Sequence, residues 1–388
     1  MIVLKNARLI PYLTEGYEEE IADIVIKDEL IDDICPTGRD YGEMETVDLK
    51  EKTVLPGMLD LHVHLHFSNM DFAELCRKLP YENLVNALSY GKELLHQGFT
   101  TVRTCGDPHG VGFAVKDAVA RNIVKGPQIL ACGMYISPTT RGVDYLAHIA
   151  DGKEELQKAC REEYSQGADF LKYMGTGSVG SETGEPGALI SSREELFMLQ
   201  QMAESLGVHA AVHCHGKNGI MLCAEAEIRT IEHASYIDDE CIELILKKGG
   251  KSAIIPTLGP IGLMRGGMFK SKAIADKAGA QAVKKHKMLD ASRAGILTGW
   301  GTDVSQDYFT ANPGSEFALR SERGYTNREI LEQATINSAK IIGMEKRLGT
   351  IKIGKQADLV IVNGKPDEDL SVMYHYPDSV YKNGIKYF

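Results

Sequence analysis

Short apolar runs of strand length alternate with helical periods through nearly 300 residues of this 388-residue chain. The runs include LDLHVHL, TTVRTC, QILACGMYI and DFLKYM, and helical patterns near 82–97, 112–123 and 153–166 separate them. This alternation predicts a parallel sheet, because parallel neighbours need a long crossover connection, which is usually a helix. The length favours closure into a (β/α)8 TIM-like barrel over residues 55–349.

The two ends of the chain have a different pattern. Residues 1–54 contain the β-rich runs IVLKNARLI and ADIVIKDELIDDI, and residues 350–388 return to this style with ADLVIVNGK and VYKNGIKYF. Asn-Gly pairs at 363–364 and 383–384 predict tight turns between such strands. We therefore expect the two ends to pair in one small β-domain.

Charge and composition restrict the class of partner. The net charge of -11 is spread over both halves without a basic or acidic block. This argues against nucleic acid, and an anionic membrane surface would repel the chain. Charged residues interrupt the first twenty positions too often for a signal peptide or a membrane span. We expect a cytoplasmic protein with a small-molecule substrate. A homo-oligomer is compatible with the sequence.

The eight cysteines, at 35, 76, 105, 132, 160, 214, 223 and 241, form no C-x-x-C pair. Neither a zinc knuckle nor a disulfide scaffold fits such scattered positions. We interpret most of them as reduced and structural.

The residues between 175 and 207 predict one long loop followed by one helix. Ser192 and Glu195 have capping-box spacing, and apolar residues follow at helical period up to Gly207, which predicts a helix. Before it, residues 175–187 are rich in glycine, and their first six residues spell the G-x-G-x-x-G dinucleotide fingerprint after a strand. No helix opens at the third glycine, because acidic residues and a proline follow, so no helix N-terminus is available for a pyrophosphate. A flexible loop over an active site suits the stretch better.

His62 and His64 lie two apart in LDLHVHL. Because strand side chains alternate between faces, both imidazoles project to one side, toward the barrel axis, where they can chelate a cation. Two core histidines with satisfied hydrogen bonds are the alternative. His66 shares the phase but lies past the expected strand end, which makes it the weaker candidate.

Lys172 lies among the apolar and aromatic residues of DFLKYM. A buried ammonium is costly unless it is neutralised. Either a carboxylate pairs with it across the barrel, or the amine has reacted with carbon dioxide to form an anionic carbamate that can bridge two cations. The strand alone favours the ion pair.

The later strands carry further candidates. VHAAVHCHG contains His209, which should lie near the strand start and be structural, and His213 and His215, which share a face and cannot be separated by periodicity. RTIEHAS ends in His233. Asp303 follows an apolar run in ILTGWGTDV, where an N-cap for the next helix is the simpler reading of a lone aspartate.

Together these candidates favour a metal site. Each falls at the C-terminal end of a predicted strand, where barrel active sites are built. Imidazole and carboxylate ligands without thiolate favour zinc, with manganese, iron, cobalt or nickel as alternatives.

Nine segments in order resemble the amidohydrolase superfamily, in particular its prolidase-like and imidazolonepropionase-like branch, which includes ochratoxin amidases. They are LPGMLDLHVHL (55–65), GFTTVRTCGD (98–107), GADFLKYMGTG (167–177), VHCHGKNGI (212–220), IEHASYIDDE (231–240), IIPTL (254–258), GWGTDV (299–304), ATINSAKIIG (334–343) and LGTIKIGKQADLVIV (348–362). The resemblance covers nearly the whole chain and implies that the two ends form a β-sandwich.

The resemblance also implies two divalent ions and a set of ligands. It favours His213 over His215, which then becomes a substrate-facing or supporting group, and a carbamate over a plain lysine at position 172. The implied metal ligands are His62, His64, Lys172, His213, His233 and Asp303.

The substrate-binding residues are less well defined. Many members place a Gly-His-Gly segment after strand three, whereas this chain has SPTTRGVDYLAH. We expect the carboxylate of a leaving amino acid to be held by Arg141 or by Tyr236, which the resemblance makes substrate-facing, ahead of His148. Tyr145 is a further alternative, and any residue of that segment could instead be a solvated loop residue.

Two-metal hydrolysis of a dipeptide or an N-acyl amino acid is the predicted reaction. A hydroxide bridging the metals would attack the carbonyl, and Asp303 would carry the proton to the leaving amine. Hydrolysis of a cyclic amide or imidazolone-type ring is an alternative. Single-metal deamination is disfavoured, since Cys214, His215 and Gly216 occupy the positions where such relatives carry a glutamate. A non-catalytic scaffold is disfavoured, since all six ligand positions are occupied.

Overall fold

Strands and helices alternate through the middle of the chain, as the apolar pattern predicts. The structure is a computed structural model, and it describes residues 1–140, 144–180, 184–283 and 287–388. Among these residues, no helix is both long enough and apolar enough to cross a bilayer.

The strands are numbered in chain order. They are β1 (Ile2–Leu9), β2 (Ile21–Lys27), β3 (Leu30–Cys35), β4 (Glu45–Asp48), β5 (Thr53–Pro56), β6 (Met58–Val63), β7 (Phe99–Thr104), β8 (Gln128–Ala131), β9 (Tyr135–Ser137), β10 (Ala147–Ile149), β11 (Phe170–Met174), β12 (His209–Cys214), β13 (Thr230–His233), β14 (Ala253–Ile255), β15 (Leu359–Val362), β16 (Ser379–Lys382) and β17 (Ile385–Lys386).

The α-helices are numbered in the same way. They are α1 (Phe72–Leu75), α2 (Pro80–His96), α3 (Val111–Ala120), α4 (Gly152–Ser165), α5 (Arg193–Leu206), α6 (Lys217–Glu225), α7 (Asp239–Lys247), α8 (Gly259–Arg265), α9 (Lys272–Val283), α10 (Met288–Arg293), α11 (Gln306–Ala311), α12 (Ser315–Glu322), α13 (Asn327–Glu332) and α14 (Ser338–Ile341). A π-helical turn, Gln333–Asn337, joins the last two, and short 3-10 turns lie at Pro11–Leu13, Pro108–Gly110, Asp144–Leu146 and Leu370–Tyr374.

One sheet contains strands from both ends of the chain. Its order is β17-β16-β15-β5-β1-β2-β3, with β4 also beside β1. β15 pairs antiparallel with β5, which brings the C-terminal strands against the N-terminal ones. The expected pairing of the two ends is therefore present. The expected domain boundary after residue 54 falls inside β5, and the division into domains stays a prediction.

The middle of the chain forms two parallel sheets, β6-β7-β8 and β10-β9-β11-β12-β13-β14. Backbone hydrogen bonds connect them on both sides. The amide of Asp169 donates to the carbonyl of Ala131 beside β8, at 2.8 Å. On the other side, residues 297–301 lie between β14 and β6, with the amide of Leu61 donating to Trp300 at 2.8 Å. The predicted parallel arrangement is thus present.

The segment beside β6 depends on a glycine. A Cβ at Gly301 would lie 2.8 Å from the Cβ of His62, so a side chain there would push the two segments apart. The close approach allows the amide of Asp303 to donate to the carbonyl of His62 at 2.9 Å. This contact holds the backbone of Asp303 beside β6, the strand that carries His62.

Two local predictions differ from the structure. The run QILACGMYI was predicted as one strand, but it divides into β8 and β9, because Gly133 has φ of 76°, in the left-handed region that interrupts a strand. Asp303 does not cap the next helix, since Ser305 is the N-cap residue of α11. The simpler reading of Asp303 is therefore wrong.

The capping box before α5 is confirmed. The hydroxyl of Ser192 accepts from the amide of Glu195 at 3.2 Å, and the Glu195 carboxylate accepts from the amide of Ser192 at 2.7 Å. Gly207 ends the helix in the left-handed conformation, with φ of 70°. Residues 175–180 form no helix.

Ser192→Ala should lower the free energy of unfolding by about 1 kcal/mol, because a helix N-cap hydroxyl contributes about that much. Chemical denaturation of the variant and the parent protein measures the difference. The matched control is Ser205→Ala in the same helix, whose exposed hydroxyl donates only to the carbonyl of Gln201 within the helix. Equal losses in both variants would contradict the capping role.

Candidate metal centre

All six predicted metal ligands line one cavity. It occupies about 800 Å³, counting its open mouth, and His215 lies in its lining as well. The ligands come from the C-terminal halves of parallel strands and from the segments that follow them, which meet at one edge of the sheets. The residues are His62 from β6, His64 directly after β6, Lys172 from β11, His213 from β12, His233 from β13 and Asp303 after residues 297–301.

The first group of candidate ligand atoms belongs to His62, His64 and Asp303, and these atoms lie within 4.8 Å of one another. Oδ1 of Asp303 is 3.9 Å from Nε2 of His62 and 3.8 Å from Nε2 of His64. Two imidazoles and a carboxylate at this spacing can hold one divalent cation.

The second group contains His213, His215 and His233, whose candidate ligand atoms also lie within 4.8 Å of one another. Their ring centroids are 4.6 to 4.7 Å apart. Oδ2 of Asp303 is 3.9 Å from Nδ1 of His233, so this carboxylate faces both groups. Since His213 and His215 both join the group, the preference for His213 stays a prediction.

Lys172 lies deep in the cavity, with only 2% of its surface exposed. Its strand pairs with β12, where it lies opposite Ala211. In the part of the chain that the structure describes, Lys172 has no ion pair with a carboxylate. The alternative of a plain ion pair across the barrel therefore gains no support from the described residues.

Hydrogen bonds fix the orientation of several imidazoles. Nδ1 of His64 donates to the carbonyl of Gly106 at 2.8 Å, and Nδ1 of His62 donates to Glu232 at 2.7 Å. Both bonds place a proton on Nδ1 and leave Nε2 on the cavity side, where a cation would bind. Nδ1 of His233 lies 2.7 Å from the hydroxyl of Thr257.

Burial keeps most of these histidines neutral. It lowers the pKa of His64, His213 and His233 well below the usual value, with positive neighbours acting in the same direction. Neutral imidazole is the form that binds a metal. Burial also lowers the pKa of His62, but its negative neighbours, Asp303 and Glu232 among them, overcome this and raise it to about 10.

Two candidate ligands have a strained backbone. His233 has φ of 68° and Asp303 has φ of 52°, in the left-handed region that non-glycine residues rarely adopt. Such conformations persist where the surroundings hold them, and they concentrate at functional sites. The carboxylate of Asp60 helps to hold the backbone at Asp303, since it accepts from the amide and the hydroxyl of the preceding residue, Thr302, at 3.2 and 2.7 Å.

Glu232 and Arg103 support the site and were missed in the sequence. The Glu232 carboxylate lies between the Arg103 guanidinium, at 2.5 Å, and His62. Burial would raise the pKa of Glu232, but Arg103 and His62 hold it well below the usual range. The available signal was a pair of opposite charges inside the apolar strands TTVRTC and RTIEH. Asp60 was also missed, although it shares the phase of His62 in LDLHVHL.

Other histidines have structural partners. His66 lies buried with Nδ1 2.9 Å from Asp107, and it does not line the cavity. His209 stacks on Phe170, with ring centroids 5.3 Å apart, at the start of β12 as expected for a structural residue.

The predicted substrate residues receive uneven support. His215 lines the cavity, with Nδ1 2.8 Å from the hydroxyl of Ser235. His148 lies outside the lining, because its two ring nitrogens face Glu162 and Glu163 at 3.2 and 3.0 Å. Tyr236 is also outside the lining, with its ring beside Gly187. Arg141 lies outside the described residues.

Comparisons with known proteins agree with this geometry. A model of the amidohydrolase family matches residues 53–385. An ochratoxinase from Aspergillus niger is 28% identical over 359 residues, covering 82% of this chain and 72% of the relative. An imidazolonepropionase from Fusobacterium nucleatum is 24% identical over 388 residues, covering 88% and 84%.

A solved structure of a prolidase in complex with N-methylphosphonate-L-proline has a TM-score of 0.91 and 26% identity, covering 100% of this chain and 99% of that one. This likeness and the family match imply a TIM barrel with an additional domain.

Thr257→Val should weaken zinc binding about 10- to 100-fold, because partners that orient a metal-binding histidine typically contribute that much. Competition with a chelating dye measures the affinity. The matched control is Thr101→Val, whose buried hydroxyl has no hydrogen-bond partner in the described structure. An unchanged affinity in the Thr257 variant would mean that His233 needs no such support or binds no metal.

Proposed function

Because this chain belongs to the amidohydrolase family, we propose that it is a binuclear hydrolase that cleaves the amide bond of a dipeptide or an N-acyl amino acid. The family is metal-dependent, and the chain is a metal-dependent amidohydrolase. The observation that carries the proposal is the meeting of two groups of candidate ligands in one cavity, with the Asp303 carboxylate facing both.

The side chains fit two divalent cations. His62, His64 and Asp303 would hold one, and His213 and His233 would hold the other. Imidazoles with a carboxylate and no thiolate in these positions favour zinc. The cations would supply, when bound, a water nucleophile at neutral pH and a positive charge that polarises the amide carbonyl.

Lys172 would supply the remaining ligand as a carbamate. A buried amine without a carboxylate partner is costly as an ammonium, and the carbamate replaces that positive charge with a negative one. Lys172 lines the same cavity as both histidine groups, so this anion would be available as a ligand there. The lack of an ion pair in the described residues supports this assignment.

Asp303 is the residue proposed to move the proton. Its side chain is 20% exposed, and its two oxygens face different histidine groups. A carboxylate in this position can take a proton from the nucleophile and return it to the leaving amine on the same face of the cavity. The amide of Asp303 donates to the carbonyl of His62, and this hydrogen bond fixes the backbone position from which the carboxylate projects.

The relatives support an amide with an amino-acid leaving group, since a prolidase with a bound proline derivative and an ochratoxinase are among them. His215 is the candidate in the cavity lining that could donate to the substrate. Arg141, Tyr236 and His148 remain predictions for the carboxylate of the leaving group.

Hydrolysis of a cyclic amide is the second candidate. It is favoured by the imidazolonepropionase relative, which is similar over most of both chains. A panel of linear and cyclic amides separates the two candidate functions. Cleavage of a cyclic amide releases no separate amino acid, so this substrate needs no free carboxylate on a leaving group.

The purified protein should contain about two divalent ions per chain and hydrolyse members of a panel of dipeptides and N-acyl amino acids, as two-metal chemistry requires. Elemental analysis and release of free amino acid measure the two properties. Cleavage of an imidazolone and of no linear amide would favour the second candidate. Full activity without metal would contradict both.

Asp303→Asn is the sharpest variant within that experiment. It keeps the shape of the side chain but cannot accept the proton, so kcat should fall about 10²- to 10⁴-fold, as for loss of a general base. Metal content should fall less. The control is Asp307→Asn, a nearby carboxylate in the first turn of α11 that accepts from the hydroxyl of Ser305 at 2.5 Å and does not line the cavity.

Lys172→Ala should abolish a carbonyl signal that appears in ¹³C NMR after incubation with ¹³C-bicarbonate, and should lower the metal content. Short carboxylic acids should restore part of the activity by replacing the carbamate. The control is Lys158→Ala, an exposed lysine on α4. The carbamate assignment fails if the parent protein gives no ¹³C signal, or if the variant keeps both metals.

A further inference from the structure

Six apolar side chains in the cavity lining form an apolar wall. Its members are Phe67, Met70, Phe72, Leu146, Val179 and Phe269, all of which line the cavity. We propose that this wall binds an uncharged apolar group, about the size of an aromatic ring, on one side of the scissile amide. The inference rests on the proposed function and specifies its substrate class.

Segments distant in sequence build the wall. Phe67 and Phe72 follow β6, Val179 follows β11, and Phe269 follows α8. Because they come from connections after different strands, the wall stands at the same end of the sheets as the ligands. A substrate group held there would adjoin the reacting amide.

The wall residues pack against one another. The rings of Phe67 and Phe72 meet edge to face, with centroids 5.7 Å apart. Phe72 and Phe269 pack on a buried cluster that contains Val179 and the α9 residues Ile274 and Ala278. These contacts give the wall a definite shape, so it can distinguish groups by size as well as by polarity.

Few residues of the described cavity lining carry a charge. Apart from the histidines, these are Lys172, a predicted metal ligand, and Asp303, a member of the first ligand group. No guanidinium or carboxylate from the described residues stands in the wall. A charged substrate group would lose its hydration there without a partner, whereas an apolar group would be favoured.

The wall adjoins the candidate ligands. Phe67 also stacks on His64, with centroids 4.6 Å apart, so the wall begins directly beside the ligand groups. A ring attached within one or two bonds of the amide would reach it.

Two series of compounds test the proposal on the zinc-loaded protein. The acyl series is N-acetyl-, N-benzoyl- and N-(4-carboxybenzoyl)glycine, and the leaving-group series is N-acetylglycine, N-acetylphenylalanine and N-acetyl-4-carboxyphenylalanine. In one series, the neutral ring should raise kcat/KM about 10- to 100-fold over the small group, as expected for burial of a ring. The added carboxylate should remove that gain.

Phe72→Ala and Phe269→Ala should each reduce at least several-fold the ratio of kcat/KM for the substrate with the neutral ring to kcat/KM for N-acetylglycine. The control is Phe197→Ala on α5, where the ring is 40% exposed and outside the cavity lining. Equal rates for neutral and carboxylated rings in both series, or an unchanged preference in both variants, would overturn the proposal.

Binding separates this inference from the proposed function. If none of these amides is cleaved, the proposed function fails, and calorimetric titration with the same compounds still tests the wall. Tighter binding of the neutral ring, lost in Phe72→Ala, would support the wall alone. Binding that does not distinguish the compounds would overturn it.

Discussion

The carboxylate of Glu232 is the interaction on which the candidate site depends. It is completely buried, and it remains ionised because a buried guanidinium from β7 and an imidazole from β6 share its charge. Removal of one partner from such a group leaves an uncompensated charge in the interior, which costs about 3–5 kcal/mol. The three strands that carry Arg103, Glu232 and His62 are thus connected by charge beneath the cavity, and the orientation of His62 follows from this contact.

Besides these charged contacts, the site depends on backbone conformations that non-glycine residues rarely adopt. His233 and Asp303 adopt left-handed φ values at the ends of their strands, and Gly301 allows the segment before Asp303 to pass against His62. These features turn side chains from separate strands toward one point. The apolar wall lines the same cavity, so the polar and apolar parts of its lining arise from strand ends and from the connections that follow them.

Much of this could be predicted from residue patterns because the rules involved are local or topological. The alternation of strands and helices predicted parallel sheets, and the spacing of His62 and His64 predicted two imidazoles on one face. The capping box before α5 needed only four residues. By contrast, Gly133 gave no decisive signal that QILACGMYI would divide, since a glycine inside a strand pattern is compatible with several backbone conformations.

The sequence by itself determined that the central sheets are parallel, that the two chain ends pair, and which residues at strand ends could bind metal. Each follows from the periodicity of apolar residues and from where parallel strands end. Only the tertiary structure decided which distant side chains meet. It joined Glu232 to Arg103 and His62, directed His148 toward Glu162 and Glu163, and brought His213 and His215 into one group. The physical reason is that partner choice among buried polar groups depends on distances between strands, which the order of residues along one strand does not contain.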